Sequence, residues 1–386
     1  MPNSGPSPSP RSFATAQPLT HTPAPRSRGT GWKIGVALVC IGGVLLVGIL
    51  IVVGVFGGAV SSVMTAVSSG NSGGGDTKLH LQELVKEPGN SHERVLIIPI
   101  EGVISGSPIE SVGASIVELV KEQLEAAGKD DDVKAVILRV DSPGGEVLAS
   151  DDLYKLLVDF QETQHKPIVA VMGNLAASGG YYVSAPCRWI VANPLTITGS
   201  IGVIMHGYNY RGLMDKVGVR PEVFKSGRFK DMLSPDKRPE DVSTEERDMV
   251  QRMVDETFGR FKAVVKEGRT KANVANSKSE DTEDRGRKLS AQWADFADGR
   301  ILSGKEAHEL GFVDELGGFK VAVERVKRLA KLKQPELIEL RPLFQFSRLL
   351  RLLGTTSARP VSVDFGVRMP QLKSGLMYFV WPMAVQ

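Results

Sequence analysis

Four runs of apolar and β-branched residues recur in the middle of this chain, and each leads into a turn. The runs with their turns lie at 95–102, 135–145, 167–174 and 189–194, and helical stretches separate them. Runs that are apolar on both faces and alternate with helices are typical of parallel strands inside an α/β layer. The pattern therefore predicts an α/β layered fold with mostly parallel sheets.

Two segments before this pattern have a different composition. Residues 1–32 are rich in Pro, Ser and Thr and lack acidic groups, which predicts a disordered tail. No charged residue occurs from Ile34 to Val60, so we expect residues 33–60 to form one transmembrane helix. Positive charges precede this helix and none follows it before Lys78, which places the N-terminus in the cytoplasm and the rest of the chain outside it.

Three further boundaries follow from composition. Residues 61–90 form a Ser- and Gly-rich linker that ends in a short helical stretch, and residues 91–335 form the folded domain. Within this domain a Ser-x-x-Glu capping box predicts an amphipathic helix over 243–266, and the polar stretch 270–290 predicts an exposed insertion. Residues 336–386 are a C-terminal tail that ends in an apolar, aromatic patch.

Composition also excludes several functions. The net charge is only +3 with both signs interspersed, so no nucleic-acid partner is expected. Cys40 and Cys187 lie far apart and are not expected to pair. The sequence has no metal-binding cluster of His and Cys and no nucleotide phosphate loop, so we expect no metal and no cofactor. Any chemistry must then come from ordinary side chains and the backbone.

Glycine-rich turns follow three of the predicted strands, at 141–145, 174–182 and 198–202. The ends of parallel strands gather ligands and catalytic groups, so we expect these turns to converge. Ser178 lies at a predicted strand-to-helix junction among small residues, where its Oγ would point outward and the Gly179 N–H would face developing negative charge. A plain helix N-cap serine explains the same residue.

A serine hydroxyl needs a base before it can attack a peptide. A lysine can serve when desolvation or neighbouring cations lower its pKa. The segment 224–231 carries such lysines, although each viewed alone also fits a solvated surface charge.

Several ordered motifs together carry a resemblance. They are DSPGG, MGNLAASGGYYV, TGSIGV, KSGRFKDMLSP and DGRILSGKEAHELGFVDELGG, spread from about Arg94 to Lys331. This set resembles the signal peptide peptidase A family, within the group that shares the ClpP/crotonase-like fold. The 270–290 stretch is longer than that family's pattern implies, and the resemblance hardly covers the two tails.

The resemblance implies a role for each matching residue. Ser178 is the nucleophile and Lys230 its general base, and Ser200 hydrogen-bonds the lysine amine. The N–H groups of Gly145 and Gly179 hold the oxyanion. No histidine is needed in such a Ser-Lys mechanism.

The function that follows is a membrane-anchored serine endopeptidase, with its site outside the cytoplasm, that hydrolyses apolar peptides such as cleaved signal peptides. The resemblance also implies a homo-oligomer whose sites face an enclosed space. Three alternatives stay open: a crotonase-like acyl-CoA enzyme, a Ser-His protease that uses His206, and a non-catalytic membrane scaffold.

Overall fold

The computed structural model describes residues 79–109, 112–342 and 377–380, all within the compact unit that begins at Lys78. Within these ranges no helix has both the length and the apolar character needed to cross a membrane. The predicted tail, 1–32, and the predicted membrane span, 33–60, lie outside the described residues, so both stay predictions.

Twelve strands and seven α-helices make up the described part of the chain. The strands are β1 (Leu81–Glu87), β2 (Asn90–Glu101), β3 (Val133–Ser142), β4 (Gly144–Glu146), β5 (Ile168–Ala177), β6 (Trp189–Ala192), β7 (Ile197–Gly199), β8 (Ile204–Met205), β9 (Ile301–Ser303), β10 (Glu315–Leu316), β11 (Pro335–Pro342) and β12 (Met377–Val380). The helices are α1 (Ile116–Lys129), α2 (Val147–Gln164), α3 (Gly179–Ser184), α4 (Arg211–Val217), α5 (Thr244–Asn276), α6 (Gly304–Glu309) and α7 (Phe319–Ala330).

The main sheet has the order β1-β11-β2-β3-β5-β6-β10, with β7 and β9 attached to the end of β5. All its pairings are parallel except β1 with β11 and β7 with β9. A second, three-stranded sheet has the order β4-β12-β8. The predicted ClpP/crotonase-like α/β fold with mostly parallel sheets is confirmed.

The central strands are apolar on both faces because each face has its own cover. Leu96 and Ile98 of β2 belong to the core cluster that also contains the buried side chains of α1 and α2. Val95 and Ile97, which alternate with them, pack in a second cluster with Val326 of α7. This double burial explains why the four runs read as continuous apolar stretches.

The sheet reaches past both boundaries that composition suggested for the folded domain. Residues 81–87 form β1, and the prediction of a short helix there is wrong. β1 pairs antiparallel with β11, from Leu81 opposite Pro342 onward. Pairing with a strand some 250 positions away along the chain overrides the weak local preference of this polar segment.

The helix that starts after Ser243 is longer than predicted. The Ser243 side chain accepts a hydrogen bond from the Glu246 N–H (3.2 Å), which confirms the cap, but α5 runs on to Asn276. The prediction of an exposed insertion over 270–290 is therefore wrong in part. Asn276 is buried, and its amide donates to the Arg188 carbonyl oxygen (3.1 Å), so a polar sequence here satisfies buried backbone groups.

Candidate active site

Ser178 lies at the junction between β5 and α3, as predicted. Its backbone has a φ of 53°, in the left-handed region that non-glycine residues rarely adopt. The Ser178 N–H donates to the Gly199 carbonyl oxygen (2.8 Å), and its own carbonyl accepts from the Tyr182 N–H (2.8 Å). The strand, the sharp turn and the helix that follows hold this one residue in place.

The Ser178 side chain does not cap the helix. It is only 1% exposed, and its Oγ has no hydrogen-bond partner among the residues that the structure describes. Buried hydroxyls are almost always paired, so an unpaired one requires an explanation. The plain N-cap interpretation does not supply one, because a capping serine would accept a hydrogen bond from the first turn.

The glycine-rich turns converge around this serine. A methyl group added at Gly145 would lie 1.9 Å from the Ile104 carbonyl oxygen, so the backbone there tolerates no side chain. A methyl group added at Gly179 would lie 3.1 Å from the Gly145 nitrogen and 2.8 Å from Ser150 Oγ. The two residues predicted to hold an oxyanion are thus close neighbours, and that role remains a prediction.

The third turn joins the same cluster through β7, which pairs in parallel with the end of β5 and places Gly199 beside Ala177. The Thr198 hydroxyl donates to the Ala176 carbonyl oxygen (2.7 Å) and fixes this register. Ser200 follows, almost fully buried, and its N–H donates to the Arg300 carbonyl oxygen (2.7 Å). The structure therefore brings Ser200 into the neighbourhood of the Ser178 backbone.

Ser142 is a site residue that the sequence reasoning left without a role. Its Oγ donates to the Gly102 carbonyl oxygen (2.6 Å) and accepts from the Gly144 N–H (3.1 Å). The preceding Asp141 accepts from the Leu175 N–H (3.1 Å). Two polar residues at the end of an apolar strand were the available signal, and they shape the turn that carries the glycines.

We expect Ser142→Ala to lower the free energy of unfolding by about 1–3 kcal/mol, because the buried Gly144 N–H loses its partner. The Gly144–Gly145 turn should also shift, so peptidase kcat should fall while KM changes little. Urea unfolding and steady-state kinetics test this. Thr163→Ala, which removes an exposed hydroxyl bonded to Asp159 O (2.8 Å), is the control, and equal stability of the two variants would contradict the assignment.

The structure shows no hydrogen bond between the Lys230 amine and the Ser178 hydroxyl. Lys230 is exposed, and since Ser178 Oγ has no partner among the described residues, the amine is not bonded to it. His206, the alternative base, is also exposed, and its ring packs on Tyr208 with 4.8 Å between centroids.

Large apolar side chains are exposed throughout the segment that surrounds Lys230, which we call the 206–235 segment. The most exposed is Phe224, at 93%. The others are Tyr208, Tyr210, Leu213, Val217, Val219, Val223 and Leu233. A segment that exposes this many large apolar side chains is a candidate protein interface.

The two tyrosines of α3 and the cysteine that follows this helix stay neutral. Burial raises the pKa of the Tyr181 and Tyr182 hydroxyls far above their usual range. Burial likewise raises the pKa of the Cys187 thiol to about 12. None of the three offers an ionised nucleophile or base that could replace Ser178 and its partner.

The C-terminal aromatic patch also contributes to the site, which its composition did not indicate. β12 lies between β4 and β8, antiparallel to both, with Phe379 opposite Gly145. The second sheet is therefore completed by residues more than 170 positions away from its other members.

Known proteins match this chain over much of the described region. The family model for peptidase family S49 matches residues 161–283 and 281–333. A putative protease of Synechocystis sp. is 41% identical over 206 residues, which are 53% of this chain and 66% of that protein. A putative protease of Methanocaldococcus jannaschii is 39% identical over 217 residues, 56% of this chain and 62% of that protein.

The match thus spans just under two thirds of each of these two relatives. A putative signal peptide peptidase SppA of Enterococcus faecium is 35% identical over 262 residues, 67% of this chain and 70% of that protein. The resemblance that the motifs carry is confirmed: the chain belongs to the SppA family, within peptidase family S49.

Proposed function

We propose that this chain is a serine endopeptidase with Ser178 as nucleophile and Lys230 as general base. The observation that carries the proposal is the buried, unpartnered Oγ of Ser178, held on a strand-to-helix turn next to Gly145 and Gly179. A serine whose hydroxyl neither caps the helix nor pairs with another described group loses no hydrogen bond when it attacks a substrate carbonyl.

The chemistry follows the general pattern of acyl transfer. Ser178 Oγ forms a bond to the peptide carbonyl carbon as its proton passes to the Lys230 amine. The amides of Gly145 and Gly179 stabilise the oxyanion, and the C–N bond breaks as the lysine returns the proton to the leaving amine. Water then hydrolyses the acyl-enzyme. Each cycle starts from a neutral amine, so activity should rise with pH.

In this proposal, Lys230 of one copy of the chain acts on Ser178 of a second copy. It belongs to the 206–235 segment, whose exposed apolar side chains need a cover. A neighbouring copy that covers this segment would desolvate the amine, and desolvation favours the neutral form. The active assembly is then a homo-oligomer in which each site takes its serine and its lysine from different subunits.

We further propose that the substrates are apolar peptides such as cleaved signal peptides. The Enterococcus relative is named as a putative signal peptide peptidase, which supports this, as does the uncharged run from Ile34 to Val60. An anchor in that run would hold the site outside the cytoplasm and close to the bilayer, where it raises the effective concentration of membrane-released peptides.

An acyl-CoA enzyme is the second candidate, because paired backbone amides also stabilise an enolate-type oxyanion. Such an enzyme needs no nucleophilic serine, and neither does a non-catalytic scaffold. Neither the acyl-CoA enzyme nor the scaffold explains why the buried Ser178 hydroxyl has no hydrogen-bond partner among the described residues.

Labelling with a fluorophosphonate probe tests the proposal. We expect the intact mass of the wild-type chain to increase by one adduct, located on Ser178 by peptide mapping. Ser178→Ala should gain none, Lys230→Ala should react far more slowly, and His206→Gln should match the wild type. A stable Lys230→Ala variant that is labelled at the wild-type rate would contradict the assignment of Lys230 as the general base.

A further inference from the structure

Two lysines close to Lys230 in the sequence form ion pairs with carboxylates. Lys225 donates to Asp231 (2.8 Å), and Lys237 donates to Glu246 of α5 (2.6 Å). Lys237 also lies 3.5 Å from the other carboxylate oxygen of Asp231. These contacts link Lys225, Asp231, Lys237 and Glu246 in that order, with cations and carboxylates alternating. We call these four side chains the four-charge cluster.

The inner part of the four-charge cluster is shielded from water. The side chains of Asp231 and Lys237 are mostly buried, and that of Glu246 is only 5% exposed. Asp231 Oδ1 and Glu246 Oε2 are buried and have no hydrogen-bond partner among the described residues. Because water does not reach these oxygens, the two carboxylates depend on the lysines for compensation of their charge.

The contacts inside the cluster keep its groups ionised. The hydrogen bond from Lys225 holds the pKa of the Asp231 carboxyl below its usual value. The hydrogen bond to Glu246 raises the pKa of the Lys237 amine above its usual value. Two cations and two carboxylates are therefore present together, and their charges sum to zero.

Lys230 lies beside this cluster without belonging to it. It directly precedes Asp231, and its N–H donates to the Gly227 carbonyl oxygen (3.2 Å). Its amine forms no ion pair with any residue that the structure describes. An uncompensated carboxylate near an amine favours the protonated form, which cannot act as a base. Asp231 and Glu246 would have this effect on Lys230 if the two other lysines did not neutralise them.

Further charged groups surround the cluster on α4, on the 206–235 segment, on the turn before α5 and on α5 itself. They are Arg211, Arg228, Asp236, Arg238, Asp241 and Glu245. Arg228 and Glu245 pair with each other (2.9 Å), and both side chains are exposed. Water screens such an exposed pair more strongly than it screens the buried carboxylates of the cluster.

We infer that Lys237 and Glu246 are positioning residues for the proposed base. Their ion pair ties the 206–235 segment to α5 and cancels the carboxylate charge beside the Lys230 amine, so that this amine can lose its proton. The inference rests on the proposed function for the role of Lys230. The electrostatic effect that it describes does not require catalysis.

Acetylation of the full-length protein with acetic anhydride tests this effect without a substrate. Peptide mapping gives the pH at which the Lys230 amine reaches half of its maximal reactivity. We expect Lys237→Met to raise this midpoint by about half a pH unit or more, because one carboxylate charge is left uncompensated. Glu246→Gln should lower the midpoint, because the Lys237 cation is then uncompensated. The double variant should return to the wild-type midpoint.

Two controls separate charge from structure. Lys237→Arg keeps the cation and should show the wild-type midpoint. Lys271→Met removes an exposed lysine elsewhere on α5, where it pairs with Glu162, and should leave the midpoint unchanged. A clamp with a structural role alone would shift the midpoint in the same direction in both single variants and in the double variant.

The inference is overturned if Lys237→Met and Glu246→Gln both keep the wild-type midpoint, or if the double variant shifts as far as Lys237→Met. Should Lys237→Met unfold, Glu246→Gln and the double variant decide, since the double variant leaves neither charge of the pair buried alone. Shifted midpoints together with fluorophosphonate labelling that does not depend on Lys230 would instead refute the proposed base and leave the electrostatic effect in place.

Discussion

Two inactive variants should regain activity when they assemble together. Ser178→Ala and Lys230→Ala should each lose peptidase activity by about ten-thousand-fold or more. Co-expressed in equal amounts with different affinity tags, they should recover about a quarter of the wild-type rate, because a site is complete only where an intact Ser178 meets an intact Lys230 of a neighbouring subunit.

The reason is the position of the two groups in a single chain. Ser178 Oγ is buried and unpartnered among the described residues, whereas Lys230 is exposed on the apolar 206–235 segment. A His206→Gln chain is the matched control from the same segment, and it should be fully active. A co-purified mixed assembly that stays inactive would refute the shared site, and a drop with His206→Gln would point to a histidine base instead.

Removing the Asp314 carboxylate should cause the largest loss of stability. We expect Asp314→Ala to lower the free energy of unfolding by about 3–5 kcal/mol, because it leaves the Arg269 guanidinium buried without a counter-charge. Arg269 is only 1% exposed and forms its ion pair with Asp314 in the interior. The carboxylate also accepts the N–H groups of Ile190 (2.8 Å) and Arg287 (3.2 Å), so β6 and the segment after α5 lose a shared anchor.

An exposed ion pair between α5, the helix of Arg269, and α2 provides the comparison. Lys271 and Glu162 pair at 2.9 Å with side chains 65% and 60% exposed, so Glu162→Ala should cost less than about 1 kcal/mol. Urea unfolding followed by circular dichroism measures both variants. Similar losses for Asp314→Ala and Glu162→Ala would show that the buried pair contributes no more than a surface contact.

The sequence predicted the secondary structure best where burial imposes a regular pattern of apolar residues. The runs at 95–102, 135–145 and 167–174 are apolar because α-helices cover both faces of their strands, and that pattern is visible without a structure. β1 and β12 are short and pair with strands far away along the chain, so their local residues do not specify the pairing. Contacts of this kind depend on the assembled sheet and not on propensity.

The site shows the same division. The glycine-rich turns predicted the cluster of Gly145, Gly179 and Ser200 around Ser178, because strand ends of a parallel sheet meet at one edge. Geometry was needed to exclude the helix cap, since the Ser178 Oγ makes no hydrogen bond to the described first turn, and the role of nucleophile stays a proposal. In the proposed assembly the surroundings of Lys230 depend on which surfaces of two copies meet, and neither spacing nor periodicity encodes that.

The strained backbone of Ser178 lowers the stability of this protein at the position where the proposed function needs a hydroxyl. Only glycine adopts a positive φ without strain, whereas a serine held there costs about 1–3 kcal/mol of conformational energy. Glycine at this position would relax the turn and also remove the hydroxyl. The hydrogen bonds that Ser178 donates to Gly199 and accepts from Tyr182 therefore hold the chain in a conformation that serves the proposed catalysis but is less stable than the alternative.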